Sequence, residues 1–146
     1  MMNPQQKQIH KNNLLRLGAA AIQHAMKSVA LDAKAEQLIS RRIQSVLDGH
    51  PDVAEVKREQ AAFRRMNMTY TPANQLIVAS DKLILLADFG GYLSGEEIRN
   101  VFRLCRGAWD QSKQRGEESW QRKNLEPLLE RSFHNPGLSL EDIKIN

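Results

Sequence analysis

Arg99, Arg103, Arg106 and Lys113 recur at spacings of three, four and seven residues, so a helix would set them along one side. A row of that kind suits anions: guanidinium groups take phosphate or carboxylate oxygens in forked pairs. Asn100 stands beside the row with an amide that can read a base edge or a peptide. A second basic group, Lys57, Arg58, Arg64 and Arg65, falls on one side of a helix that opens on Asp52, Glu55 and Glu59. That order, acidic first and basic last, also complements the helix dipole. Trp120 follows in a charged stretch and is a candidate for contact with a partner.

Other reactive residue types do not converge. Histidines stand at 10, 24, 50 and 134 without the paired spacing of a metal site, so no metal and no cofactor are expected. The lone Cys105 lies four residues before Trp109 on an apolar stripe, the setting of a core residue rather than a nucleophile. Asp88-Phe89-Gly90 spells a protein-kinase triplet, but nothing of the accompanying glycine-rich and catalytic loops is present. We therefore expect no enzyme.

The elements that must hold these residues read as helices. The chain of 146 residues has 5 % aromatics and is rich in Leu, Ala, Gln, Lys, Arg and Glu, the strong helix formers. Pro4 opens a first helix with an apolar face of Leu14, Leu15, Gly18, Ala21, Ile22, Ala25 and Met26. Its Gly18–Ala21 segment permits close approach of another helix and suggests a homodimer face. Asp32 is a candidate N-cap for a second helix carrying Leu38, Ile39, Ile43, Val46 and Leu47, a continuous run from the first helix being the alternative; Gly49 and Pro51 terminate it. Pro51-Asp52 begins a third helix to about Met66. Thr71-Pro72 begins a fourth, whose apolar runs at Leu76–Val78 and Leu83–Leu86 are also compatible with short strands. Ser94-Gly95-Glu96-Glu97 has the form of a capping box for a fifth, with Ile98, Val101, Phe102, Cys105, Ala108 and Trp109 as its inner face.

The expected fold is all-α: an irregular bundle of five to six helices with a helix-turn-helix-like hairpin at 73–113 and a short C-terminal tail. Residues 1–115 would form the helical domain, with 116–146 a helix and tail docked on it. The hairpin resembles a helix-turn-helix in part, with Ala87, Gly91, Ile98 and Val101 at its anchor positions and a glycine-to-cap spacing one residue too long.

Charge falls unevenly: net +5 over 1–70, +1 over 71–115 and −2 over 116–146. The basic front suggests an anionic partner or self-association with the acidic end. Met1–His10 has no apolar core of a secretory signal, and no run is long enough to span a membrane, so a cytoplasmic location is expected. Together these readings predict a small non-enzymatic regulatory or adaptor protein in transcription or DNA metabolism, favouring contact with a DNA-associated protein. The alternative is direct DNA binding through the helix at 95–113.

Overall fold

In a computed structural model of the chain, residues 3–58, 71–90, 93 and 95–112 are described. The described residues form helices and their connections: α1 (Pro4–Met26), α2 (Ala33–Leu47), α3 (described over 53–58), α4 (Pro72–Asp88) and α5 (Gly95–Ser112). The all-α bundle expected from composition is what the chain adopts. The Leu76–Val78 and Leu83–Leu86 runs are helical throughout, because α4 is buried on several sides and its apolar residues need no strand period.

Local chemistry sets the helix ends. Asn3 caps α1 in a reciprocal box: its Oδ1 accepts from the Gln6 N–H at 2.8 Å, and Gln6 Oε1 accepts from the Asn3 N–H. Asp32 and Thr71 cap α2 and α4 through the Ala35 and Asn74 amides. Asp52 does the same for α3 through Glu55. Gly49 ends α2 at φ 81°, a value only glycine adopts readily. There the Gly49 and His50 amides bond the carbonyls of Val46 and Ser45, closing a Schellman turn.

Helices α1 and α4 pack on each other, and each also packs against both α2 and α5; α2 and α5 share no extensive contact. Gly18 lies where α1 meets both α4 and α5: a Cβ built there would lie 2.7 Å from Ile98 Cδ1 and 2.8 Å from Leu83 Cδ1, so any side chain at this position would push the ends of those two residues aside. Ala19, Ala20 and Ala21 are buried as well. The small-residue face suggested for a homodimer is thus covered inside the chain by its own helices.

An ion pair ties α2 to α4 within this core. Arg42 is 1 % exposed, and its Nη1 lies 2.5 Å from Asp81 Oδ1. The same nitrogen donates to Ser80 Oγ at 2.9 Å, and Ser80 in turn donates to the Ile77 carbonyl at 2.7 Å. Burying two charges costs several kcal/mol each; direct pairing and added hydrogen bonds offset this.

Candidate interaction face on the fifth helix

The sequence of α5 divides it into two sides. Ile98, Val101, Phe102, Cys105, Ala108 and Trp109 are all buried, as their spacing predicts, and fix the helix against α1 and α4. Trp109 stacks on His24 of α1, with ring centroids 4.6 Å apart and planes 19° from parallel. At the other contact, Gly107 faces Gln75 of α4, the Oε1 lying 3.3 Å from where a Cβ would stand.

That inner side also defines the hairpin. The α4–α5 contact runs from Leu83 and Ile98, which meet over Gly18, to Gln75 and Gly107. This is about 12 Å along each helix. The hairpin predicted at 73–113 is present as two packed helices, α4 and α5, that meet at both of these points.

The outer side carries Arg99, Asn100, Arg103 and Arg106 in register, so the structure brings together four of the residues predicted from sequence. Asn100 and Arg103 are exposed, Arg99 and Arg106 partly so. Arg99 and Arg103 each meet a residue one turn earlier on the same helix. Arg99 Nη1 is 3.2 Å from Glu96 Oε1, and Arg103 Nη1 donates to Asn100 Oδ1 at 2.9 Å. Glu96, Glu97 and Asp110 match Arg99, Arg103 and Arg106 in number, leaving no net charge over 95–112. The row is a mixed polar strip with neutral balance.

The second basic group is only partly in view. Lys57 and Arg58 are exposed on α3, and Glu55 of that segment pairs with Arg41 of α2. The pair attaches this segment to α2. Arg64, Arg65, Lys113 and Trp120 lie outside the described residues, as do Gly91, Ser94 and the proposed C-terminal unit at 116–146.

Cys105 is fully buried on the inner side, and desolvation pushes its thiol far above the ordinary value. A thiol held neutral and out of water is not a nucleophile. Among the described residues no group of three His, Cys, Asp or Glu side chains is placed to hold a metal ion. No described helix is long and apolar enough to cross a membrane.

Two polar features were missed from sequence. One is the Arg42–Asp81 pair, the other the burial of His10 and Asn13 on α1. The spacing contained the first signal: Arg42 lies three residues after Ile39 and four before Val46, on the apolar stripe itself. No protein-family model matches the chain, and no curated protein or solved structure matches it either.

Proposed function

We propose that this chain is a small non-enzymatic adaptor or regulatory protein that binds a protein partner through the outer side of α5. The charge balance of that side carries the reading. DNA binding draws most of its affinity from cations that displace counterions along the phosphate backbone. On α5 each described arginine is offset by an acid, and Glu96 and Glu97 stand at the end that a recognition helix would present to a groove. A strip of exposed donors and acceptors of both signs instead suits a protein surface, where complementary polar groups set partner and register. Arginine is also among the residues favoured at such contacts.

The partner we infer is a DNA-associated protein of transcription or DNA metabolism, acting in the cytoplasm. The chain's net charge of +4, concentrated in residues 1–70, supports a partner working close to polyanions. The lone reduced thiol fits a reducing compartment.

Site-specific photocrosslinking in native cells tests the proposal. A photoreactive residue at Asn100 should label a protein. The same probe at Gln37, exposed on α2, should not yield that product. Charge reversal at Arg99 and Arg103 should remove the label. Equal labelling from both positions, or a nucleic-acid adduct from Asn100, would overturn it.

A further inference from the structure

A cleft of about 270 Å³ opens between α1 and the C-terminal end of α2. Leu15 and Val46, both buried, supply apolar wall, and Leu47 forms an apolar lip that is 37 % exposed. The polar groups stand on opposite elements. Asn12 and Arg16 come from α1. Gln8 donates to Asn12 Oδ1 at 2.9 Å, which leaves the Asn12 amide hydrogens as the unspent donors. Arg16 is partly buried and makes no ion pair or hydrogen bond among the described residues. Asp48 comes from α2: Gln44 Nε2 donates to its Oδ1 at 2.8 Å, leaving Oδ2 open. The C-terminal end of α2 adds the negative pole of the helix to the same side.

Arg16 and Asp48 line one cleft without closing on each other. The cleft therefore offers a cationic side, an anionic side and an apolar surface within a volume just below that of drug-sized pockets. Asn12 and Asp48 are exposed and Arg16 is partly buried, so a ligand with a single charge engages one side only and forgoes the charge-assisted contact that the other side offers. A ligand with carboxylate and ammonium on one carbon, and an apolar branch from it, satisfies all three surfaces.

We propose that this cleft binds a free α-amino acid with a branched apolar side chain. The carboxylate pairs with Arg16 and Asn12, the ammonium with Asp48, and the side chain rests on Leu15, Val46 and Leu47. The site uses none of the α5 residues, so it stands or falls separately from the partner-binding proposal.

Amide chemical-shift titrations of the full chain test it with three probes of similar shape: L-leucine, 4-methylpentanoate without the ammonium, and 3-methylbutylamine without the carboxylate. Leucine should give saturable shifts centred on Arg16 and 46–49. Each singly charged probe should bind about tenfold or more weakly, because a charge-assisted contact is lost. Arg16→Met should weaken leucine by a similar factor at unchanged melting temperature, as should Asp48→Asn. If Arg16→Met lowers the melting temperature, Arg16→Gln tests the same contact. Absence of saturable leucine shifts at the cleft would overturn the proposal. So would a singly charged probe binding as tightly as leucine, or leucine affinity unchanged in a folded Arg16 variant.

Discussion

Arg42 of α2 and Arg103 of α5 belong to the same residue type and have opposite roles, and the contrast lies in what surrounds each. Arg42 is enclosed at the α2–α4 seam and spends its charge on Asp81 and Ser80. Arg103 stands exposed and, among the described residues, donates to Asn100 one turn away. A buried guanidinium cannot exchange its partners for water, so the fold depends on it. An exposed one can exchange them at little cost and is available to a second molecule. The two sides of α5 repeat the contrast within one helix, with Cys105 sealed inside and Arg103 facing solvent.

The comparison breaks most visibly if the buried pair is dispensable. Arg42→Met takes the guanidinium away from the buried Asp81 carboxylate and should cost about 3–5 kcal/mol in urea unfolding. The double variant Arg42→Met, Asp81→Leu should recover most of that loss, since an apolar pair of similar volume removes both charges from the interior. A single-variant loss below about 1 kcal/mol, the range of an exposed pair, would erase the distinction between the two arginines.

Gly18→Val probes the same interior at the seam of α1, α4 and α5. The added side chain meets Leu83 and Ile98 in a closed space, and the expected loss is about 1–3 kcal/mol. A neutral result would mean that the core yields where the geometry says it is closed. At the surface, Gly49→Ala has open space around its new Cβ, yet must hold φ 81°, and should cost about 1 kcal/mol through backbone strain alone.

The inner side of α5 has a signature in pH. Burial raises the folded-state pKa of Cys105 above its ordinary value of 9.0. Below pH 9 the thiol is neutral in both states and its contribution is fully present. Above pH 9 the unfolded chain loses the proton first, so stability falls as pH rises. Comparing unfolding of the wild-type chain and Cys105→Ala from pH 8 to 10 should show this excess alkaline loss only in the wild type. In parallel, a thiol reagent should modify Cys105 only after denaturant is added. Prompt modification of the native protein would mean that the inner side opens readily. The smallest stability effect belongs to the outer side: Arg99→Ala with Arg103→Ala should shift stability by no more than about 0.5 kcal/mol.

Much of this architecture was legible in the residues because it is local. Asp32, Thr71 and Gly49 mark helix ends by chemistry that acts within four residues, and the α5 stripe from Ile98 to Trp109 follows from period alone. What distant segments build was not legible. Gly18 looked available to a second chain, because sequence does not reveal that Leu83 and Ile98 already cover it. Arg42 and Asp81 each sit on an apolar stripe, but only the packing of α2 on α4 makes them a pair. The α5 arginines were readable as a row, and their balance with Glu96, Glu97 and Asp110 as a count; what the structure adds is that Arg99 meets Glu96 and Arg103 meets Asn100 one turn away. The cleft between α1 and α2 had no sequence signal, since Arg16 and Asp48 are brought together only by the turn between those helices.

The claim that the α5 strip is charge-matched, and therefore faces protein rather than phosphate, is tested by fluorescence anisotropy. A labelled random-sequence DNA duplex is titrated with the wild-type chain and with the Arg99→Ala, Arg103→Ala variant at several salt concentrations. The account predicts the same affinity and the same salt slope for both proteins, because these arginines contribute no unmatched cation to the duplex. Micromolar wild-type binding that the double variant loses, with a salt slope reduced by about two as two phosphate contacts would require, would contradict it.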